Sequence, residues 1–503
     1  MMVPLTDLPI RNVTQMPRVA IVGGGLAGLA AAVGLAGRGL RVQLFEARRR
    51  LGGRAASFTD AATGEAVDYC QHVSMGCCTN LADFCRRTDT ADLFRRDRVL
   101  HLFTRDGRSS RLSGSRLLPA PFHLAPALLR LHYLSWRERL AIGSAMMRLA
   151  RARPEELSQR TVAEWLTSNG QSPRAIEQFW GAVLVSALGE SVERSSMLHA
   201  QKVFVDAYLA APTGYELYVP RVSLGELYGA RLTDWLTGHG VELLIGANVE
   251  QIDAQADRLM LTAGNSMHEC DAVVLAVPWQ RVKATLAPAV AAALPELSGL
   301  EQIDAAPITG VHLWFDRQIT ELEHAAMVDM LSQWVFRRTD PGTVPIVSER
   351  SAETMGLSPS HPTAGTADEY YYQVVISASR HIAGRDREEV VAEIFDELRD
   401  VFPAARQAKL LRWKMVSDPT AVFSVRPGIE ALRPPQTTSV ARLFLAGDWT
   451  LTGWPSTMEG AVRSGYLAAE AVLKQTGRTA RLLAPDLPRG WLARRIVGPI
   501  AQR

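Results

Sequence analysis

The stretch VAIVGGGLAGLAAAVGLAGRGLRVQLFE (residues 19–46) decides the fold of this chain. It predicts a continuously apolar buried strand, a glycine-rich turn, a helix of small residues, and a second buried strand that ends in an acid. Gly23, Gly25 and Gly28 form the pattern G-x-G-x-x-G. The first glycine permits the tight turn, the second lets a pyrophosphate approach the backbone, and the third lets helix and strand pack closely. The N-terminus of the helix would then face the phosphates of a dinucleotide.

Glu46 and the segment ARRRLGGRAAS that follows it resemble the pattern found in flavoproteins, and this resemblance favours FAD over NAD. Glu46 ends the second strand, where its carboxylate is placed to accept hydrogen bonds from a ribose and argues against a 2′-phosphate. In the following segment ARRRLGGRAAS (residues 47–57), paired glycines let the chain pass close to the cofactor while Arg54 meets its phosphates or the flavin edge. The alternative for this segment is a basic turn on the surface.

A second nucleotide-contacting segment lies more than 400 residues further along the chain. LFLAGDW (residues 443–449) brings Asp448 to the end of a buried strand, where its carboxylate can bind ribityl or pyrophosphate-side hydroxyls. MEGAVRSG (residues 458–465) opens a helix whose N-terminus stabilises negative charge on a flavin ring. Both segments are expected to contact one FAD. The predicted FAD-binding residues are Gly23, Gly25, Leu26, Ala27, Gly28, Glu46, Ala47, Arg48, Gly52, Gly53, Arg54, Val249, Gly447, Asp448, Thr457, Met458 and Ala461.

Pieces of the nucleotide fold recur at the start, the middle and the end of the chain, with sequence of different character between them. We therefore predict an α/β fold with two domains. The first is a discontinuous Rossmann-like FAD-binding domain made of residues 17–79, 217–292 and 436–476. The second is a mixed α+β substrate-binding domain made of residues 80–216 and 293–435, with the substrate held where it faces the nucleotide. Residues 477–503 form a basic, amphipathic C-terminal tail.

Composition limits the classes of partner. A formal net charge of +3 over 503 residues gives no support for a nucleic-acid partner. An odd number of cysteines and the lack of a cationic, then apolar, leader favour a reduced, cytoplasmic setting. The most apolar long stretch, residues 119–136, is interrupted by histidines, an arginine and prolines, so no spanning helix is predicted.

Four of the five cysteines, Cys70, Cys77, Cys78 and Cys85, cluster in the sequence. They lack C-x-x-C spacing, and adjacent cysteines point in different directions on any regular element. The sequence therefore predicts buried thiols and no metal site.

The motifs G-x-G-x-x-G, E-A-R-x-x-x-L-G-G-R and L-A-G-D resemble those of the flavin amine oxidase and carotenoid (phytoene) desaturase superfamily, and the resemblance runs from residue 19 to about residue 473. Three segments resemble the hydroxysqualene dehydroxylases in particular: VDYCQHVSMGCCTN (residues 67–80), RPGIEALRPPQTTS (residues 426–439) and LAGDWTLTGWPSTMEGAVRSGYLAAEAVL (residues 445–473). Where that family has a segment like D-N-G-Q-H, this chain has D-Y-C-Q-H, so Cys70 stands in the place of a glycine.

The resemblance implies an FAD-dependent oxidoreductase of squalene and hopanoid biosynthesis. It would dehydroxylate hydroxysqualene to squalene with hydride from reduced flavin, the electrons coming from NAD(P)H or another reductant. An acid must help water depart, for which His72, with Asp68 beside it, is the candidate; a structural role is the alternative for this histidine. Trp449 and Trp454 either shape the pocket and screen a cation or pack in the core.

Three other functions stay open at this point. A carotenoid desaturase or isomerase would have the same fold and a similar tunnel, with electrons flowing the other way. An amine oxidase would need a polar amine pocket. The alternative from outside enzymology is a flavin-bound chaperone or membrane-docking protein that has lost turnover.

A long isoprenoid substrate must come from a membrane. Two segments mix arginines with large apolar residues: possible membrane-contact helices near residues 117–150 and the tail, in which Trp491, Leu492, Ile496 and Val497 alternate with Arg494 and Arg495. We expect a peripheral protein on the inner face of the membrane that receives its substrate from upstream squalene-pathway enzymes. The alternatives are plain packing for the first segment and a frayed, solvated end for the tail.

Overall fold

The computed structural model describes residues 16–60, 64–255, 258–338 and 369–497. Within them, 20 strands form five sheets. In chain order the strands are β1 (Arg18–Val22), β2 (Arg41–Glu46), β3 (Ser57–Thr59), β4 (Ala66–Asp68), β5 (Ser74–Met75), β6 (Phe94–Asp97), β7 (Leu100–Phe103), β8 (Ser109–Leu112), β9 (Leu217–Pro220), β10 (Glu242–Ile245), β11 (Val249–Gln255), β12 (Arg258–Ala263), β13 (Ser266–Cys270), β14 (Ala272–Leu275), β15 (Ala305–Phe315), β16 (His324–Met327), β17 (Trp334–Arg338), β18 (Tyr370–Ser377), β19 (Leu410–Phe423) and β20 (Leu443–Leu445).

Most of the α-helices are short, and the three longest begin at Trp136, Arg387 and Met458. They are α1 (Leu26–Leu35), α2 (Thr79–Arg87), α3 (Ala125–Leu129), α4 (Trp136–Leu149), α5 (Pro154–Leu157), α6 (Val162–Ser168), α7 (Pro173–Ala175), α8 (Ala182–Leu188), α9 (Met197–Lys202), α10 (Arg231–Gly238), α11 (Trp279–Val282), α12 (Pro288–Ala292), α13 (Arg387–Val401), α14 (Met458–Gln475) and α15 (Ala493–Ile496). Three stretches are π-helical: Ile176–Gly181, Val203–Leu209 and Glu226–Ala230. None of the helices in the described part of the chain combines the length and the apolar character needed to span a bilayer.

A five-stranded parallel sheet, in the order β10-β2-β1-β14-β20, forms the nucleotide domain. Its strands come from all three of the segments that the sequence assigns to FAD binding. Alternate residues of β1 enter different cores, as the pleat of a strand requires. Val19 and Ile21 pack with α1 and α14, whereas Ala20 and Val22 pack into the large core that includes the β11–β13 sheet. Burial on both faces explains why these strands read as unbroken apolar runs.

Helix α1 consists of small residues because α14 lies directly against it. All ten residues of α1 are buried. At Gly465 of α14, a β-carbon would lie only 2.2 Å from the carbonyl oxygen of Ala27 and 2.8 Å from the β-carbon of Ala30. The absence of a side chain at Gly465 therefore sets how closely the two helices approach.

A seven-stranded sheet, in the order β19-β15-β18-β17-β16-β7-β8, joins strands from both of the long insertions. Strand β15, next to the edge strand β19, pairs antiparallel with β18 and β19. Helix α13 packs on this sheet through a core that includes Val311, Phe315 and Ile394. The strands and the helix found here fit the mixed α+β composition expected for residues 293–435, and strands from the two insertions share one sheet.

Two helices of the first insertion, α4 and α6, have well-defined N-termini. Ser135 and Glu138 form a capping box at the N-terminus of α4, and Thr161 and Glu164 form another at α6. In each box the hydroxyl accepts the backbone N–H of the glutamate while the glutamate accepts that of the cap residue. These reciprocal hydrogen bonds satisfy donors that the helix itself leaves unpaired.

We expect the replacement Gly465→Ala to lower the free energy of unfolding by about 1–3 kcal/mol, because the new methyl group overlaps backbone and side-chain atoms of α1. Gly143 in α4 is the matched control, since a β-carbon there meets nothing within 4 Å. Gly143→Ala should leave stability unchanged or raise it by up to about 1 kcal/mol through helix propensity. Chemical unfolding of both variants checks this, and equal destabilisation would contradict the close packing of α1 and α14.

Candidate active site

The glycine turn after β1 holds its shape through backbone contacts. The Gly23 N–H donates to the carbonyl of Phe45 at 2.8 Å. A β-carbon at Gly28 would lie 1.9 Å from the Gly23 carbonyl oxygen, so only glycine allows the helix to start here. Gly25 is the N-cap of α1, and no side chain caps the helix. The uncapped N–H groups that open α1, Leu26 and Ala27 among them, suit the pyrophosphate of a dinucleotide.

The acid at the end of β2 supports the turn from its other side. One carboxylate oxygen of Glu46 accepts the Gly24 N–H at 2.7 Å, and the other accepts the Arg48 N–H at 2.8 Å. Glu46 is in register with Ile245, so the carboxyl ends of β2 and β10 meet at this edge. Each carboxylate oxygen keeps a second lone pair, which fits the predicted bond from a ribose hydroxyl.

Three further predicted FAD-binding residues, Ala47, Arg48 and Val249, lie in the segments that follow β2 and β10. The carbonyl of Arg48, which follows Ala47, accepts the Gly246 N–H at 3.2 Å. Val249, which is predicted to contact FAD, begins β11 three residues later and is buried. Their contacts with a cofactor stay a prediction.

The two distant nucleotide segments meet in the structure. The guanidinium of Arg54 lies 2.5 Å from one carboxylate oxygen of Asp448, and the hydroxyl of Ser456 donates to the other. The preceding Gly52–Gly53 pair lies on the glycine turn, where the Gly52 N–H donates to the Gly24 carbonyl at 2.9 Å. The glycine turn and Asp448 therefore lie at the same edge of the sheet, where the parallel strands have their carboxyl ends.

Helix α14 begins beside this pair. Thr457 is its N-cap and accepts the Gly460 N–H, while Met458 and Ala461 belong to the first turn. Gly447 donates to the Ser464 hydroxyl at 2.8 Å, which ties the end of β20 to the helix. The N–H groups of the first turn fit the predicted role of stabilising negative charge on a flavin ring.

A buried arginine that the sequence did not single out holds the loop after β20. Arg433 donates to the carbonyls of Asp448 and Thr450 at 2.9 and 2.6 Å. It also pairs with Glu430 at 2.5 Å. Burial alone would raise the pKa of Glu430, but the charge of Arg433 and the hydrogen bond from His199 bring it down to about 2. Arg433 thus positions Asp448 by holding the backbone carbonyl of Asp448.

The structure gives Asp68 partners other than His72. One oxygen of Asp68 accepts the Ser57 hydroxyl at 2.6 Å and the Leu224 N–H at 2.9 Å, and the other lies 3.2 Å from the Arg338 guanidinium. This buried carboxylate therefore joins three separate chain segments. A direct catalytic role for Asp68 stays a prediction.

A backbone hydrogen bond that His72 donates fixes the tautomer of its imidazole. Its Nδ1 lies 2.8 Å from the Cys70 carbonyl, which accepts only, so Nδ1 carries the proton. Burial lowers the pKa of His72, and the imidazole is neutral at pH 7. Nε2 is then left with a lone pair, which makes His72 better suited to accept a proton than to donate one.

The cysteine that replaces the family glycine lies beside β15. Burial, helped by the charge of Asp68, raises the pKa of the Cys70 thiol to about 12, so the thiol stays protonated. Across from it, a β-carbon at Gly310 would lie 2.8 Å from the Tyr69 carbonyl oxygen. All five cysteines are free, and no three metal-ligating side chains are grouped to hold a metal within the described ranges.

The two tryptophans near α14 have different surroundings. Trp449 is buried and donates from Nε1 to the Val277 carbonyl at 3.0 Å, which is a packing role. Trp454 lies between two cations, with the Lys202 ammonium 4.5 Å from its ring centre and the Arg463 guanidinium 5.1 Å away. Lys202 also pairs with Asp206 at 2.6 Å. The i,i+4 spacing of Lys202 and Asp206 was a visible signal in the sequence, but nothing there placed it beside Trp454.

Comparison with known proteins identifies the family of this fold. A family model described as flavin containing amine oxidoreductase matches residues 26–473. The chain is 26% identical over 494 residues to the 15-cis-phytoene desaturase of Synechococcus elongatus, which covers 92% of this chain and 97% of that protein. It is also 26% identical to the zeta-carotene desaturase of Synechocystis sp., covering 92% of this chain and 98% of that protein.

Solved structures show the same fold at lower identity. Cyclohexylamine oxidase from Brevibacterium oxydans superposes with a TM-score of 0.64 at 18% identity, over 92% of this chain and 100% of that one. A putrescine oxidase variant gives a TM-score of 0.66 at 18% identity, over 92% of this chain and 99% of that one. These findings confirm the predicted superfamily, the fold class and an FAD-dependent oxidoreductase. The relatives' names match the carotenoid-desaturase alternative better than hydroxysqualene dehydroxylation.

We expect Arg54→Met to lower the free energy of unfolding of the apoprotein by about 2 kcal/mol, because it leaves the buried Asp448 carboxylate without its cation. The variant should also bind FAD more weakly. Adding Asp448→Asn should restore part of the lost stability without restoring FAD affinity, since the amide needs no cation. Chemical unfolding and FAD titration of the two single variants and the double variant measure both effects. If the stability loss of the double variant equals the sum of the losses of Arg54→Met and Asp448→Asn, the two side chains do not form a stabilising ion pair.

A second prediction concerns His312, which is buried in β15 with Nδ1 2.6 Å from the Tyr371 hydroxyl. Burial, reinforced by the charges of Arg338 and Lys414, lowers its pKa to about 3. Because the pKa is lower in the folded state, the contribution of His312 to stability is present above pH 6.5 and is lost as the pH falls toward 3. Between pH 7.5 and pH 5 this loss is about 2 kcal/mol.

Urea unfolding of the wild type and of His312→Phe at both pH values tests this. The variant should lose about 2 kcal/mol less than the wild type between pH 7.5 and pH 5, because phenylalanine takes up no proton. His381→Phe, at an exposed imidazole, is the control. If the free energy of unfolding of His312→Phe depends on pH as strongly as that of the wild type, the prediction is wrong. His312 would then have the same pKa in the folded and the unfolded chain.

Proposed function

The chain belongs to the flavin-containing amine oxidoreductase family, and we propose that it desaturates or isomerises a long linear isoprenoid of the carotene class. The observation that carries this proposal is similarity over 91–94% of the chain to phytoene and zeta-carotene desaturases. Because the similarity includes the substrate-binding insertions as well as the nucleotide segments, it supports a related substrate.

The residues present fit FAD at the edge where β1, β2 and β20 end. The glycine turn and the N-terminus of α1 would hold the pyrophosphate, Glu46 a ribose, and Arg54 with Asp448 the linking part of the cofactor. FAD bound there supplies two-electron chemistry, as acceptor in a desaturation or as donor in a reduction. The N-terminus of α14 would stabilise negative charge on the ring.

The protonation of His72 supports desaturation over reductive dehydroxylation. Forming a carbon–carbon double bond removes a hydride and, from the neighbouring carbon, a proton. A neutral imidazole with a free lone pair on Nε2 can take that proton, whereas dehydroxylation needs an acid. His72 is therefore proposed as the base. Burial lowers the pKa of His72, and the nearby negative charge of Asp68 partly offsets this, so Asp68 would help His72 to take up the proton.

Hydroxysqualene dehydroxylation is the second candidate, and two observations favour it. The first is the resemblance of residues 67–80, 426–439 and 445–473 to that group of enzymes. The second is Lys202, whose ammonium lies over Trp454 just before α14 and can donate a proton to a departing hydroxyl. This reaction would use a reductant such as NAD(P)H and would place the protein in squalene and hopanoid synthesis. Upstream squalene-pathway enzymes would supply its substrate.

Both substrates are long isoprenoids that partition into lipid. We therefore propose a cytoplasmic protein that works peripherally, on the inner face of a membrane, as expected from the sequence.

Anaerobic incubation of the purified holoenzyme with phytoene and an electron acceptor, and separately with hydroxysqualene and NAD(P)H, distinguishes the candidates. We expect desaturated carotenes from the first mixture and no squalene from the second. His72→Gln should lower desaturation by about 10²–10⁴-fold at unchanged FAD content, as loss of a general base does. Squalene formation that Lys202→Met abolishes and His72→Gln leaves intact would establish the second candidate instead.

A further inference from the structure

Large apolar side chains are exposed on one face formed by residues 113–153 and the C-terminal tail. Among the described residues, seven of the twelve large apolar side chains with high exposure belong to these two segments. Leu117 is 93% exposed, Trp491 is 63% and Trp136 is 59%. We call this set the arginine-rich apolar face: Leu117, Leu118, Phe122, Leu129, Trp136, Leu140 and Trp491.

Contacts between the backbone segments bring these side chains together. The Arg139 side chain of α4 donates to the Leu129 carbonyl at the end of α3 at 2.7 Å. The tail reaches the same region, because a β-carbon at Gly490 would lie 3.3 Å from the side chain of Ala120. Ala493 and Val497 of the tail are buried in a small core with Ala120, Ala150, Val205, Leu209 and Ala210.

This packing changes the role predicted for part of the tail. Val497, which the sequence places with the lipid-facing residues, points inward and anchors the short helix α15. Trp491, Arg494 and Arg495 remain exposed on its outer side. The tail is therefore held in place, and its tryptophan is presented beside the loop that carries Leu117 and Leu118.

The charge of this face is strongly positive. Residues 113–153 contain seven arginines and a single acid, Glu138, which is engaged in the capping box of α4. The net charge of this stretch is +6, although the whole chain carries only +3. Arg130, Arg137 and Arg151 are exposed among the apolar side chains. Arginines that alternate with leucine, phenylalanine and tryptophan match the interface of an anionic bilayer, with guanidinium groups at the phosphates and apolar groups below them.

We propose that the arginine-rich apolar face docks the protein on an anionic lipid bilayer, with Leu117, Phe122, Trp136 and Trp491 inserted at the level of the acyl chains. The inference deepens the proposed function, since it names the surface that reaches the membrane where an isoprenoid is dissolved. Charge selects anionic lipid, and the exposed apolar groups hold the protein at the interface.

Flotation of the full-length holoenzyme with vesicles tests the proposal. Binding should be strong to phosphatidylcholine vesicles containing 30% phosphatidylglycerol and at least ten-fold weaker to pure phosphatidylcholine. The variant Leu117→Ser/Phe122→Ser/Trp136→Ser should bind the anionic vesicles at least ten-fold more weakly. Arg130→Gln/Arg137→Gln/Arg151→Gln should reduce the preference for anionic lipid. The control Met267→Ser/Tyr370→Ser/Leu411→Ser, at exposed positions elsewhere, should bind like the wild type.

Fluorescence gives a second, independent readout. Vesicles with brominated acyl chains should quench part of the tryptophan emission of the wild type, and Trp136→Phe/Trp491→Phe should remove most of that quenching. Unchanged far-UV circular dichroism and FAD absorbance show that each variant is folded.

Three results would overturn the proposal: wild-type protein that does not bind anionic vesicles, a triple apolar variant that binds like the control, or a lipid-free wild-type dimer that this variant converts to a monomer. The last result would assign the face to a second copy of the chain. None of these measurements uses substrate, so their outcome and that of the turnover assay are independent.

Discussion

The ion pair between Arg54 and Asp448 shows the constraint on which the rest of the structure depends. Two segments 394 residues apart must arrive at the same edge of one parallel sheet. They can do so because β1, β2, β14 and β20 are parallel, so that their carboxyl ends share one edge. Everything inserted between these strands is free to form another domain. The insertions therefore supply a seven-stranded sheet without disturbing the nucleotide edge.

Close helix packing makes that edge rigid. Helix α1 carries the first nucleotide turn at its N-terminus, and α14 begins beside the Arg54–Asp448 pair. The two helices lie in direct contact through Gly465, so the two nucleotide segments cannot separate without opening the core of the domain. Arg433, in the segment that precedes β20, adds a second restraint by holding the Asp448 carbonyl. The contacts that hold the domain together are thus the same contacts that position the two predicted FAD-binding segments.

How much the sequence could predict depended on whether a signal was local. The turn of Gly23–Gly28, the acid Glu46 and the strand β1 were predictable, because spacing and apolar pattern along a few residues specify them. The partners of Asp68 were not, since Ser57, Leu224 and Arg338 come from three distant segments. For the same reason, the sequence could not show that Lys202 lies beside Trp454. The inward orientation of Val497 depends on a small core whose members lie far apart in the sequence.

The direction of the chemistry depends on proton positions that no motif encodes. The motif Gln71-His72 is equally compatible with an acid and with a base. The Cys70 carbonyl fixes the proton of His72 on Nδ1, and burial lowers the pKa of the ring, which together favour the proposed base. A donor exists elsewhere, at Lys202, but its charge is shared with Asp206 and the face of Trp454. Nε2 of His72 is thus free to accept a proton, whereas the Lys202 ammonium is already engaged, and this difference supports the proposed removal of a proton.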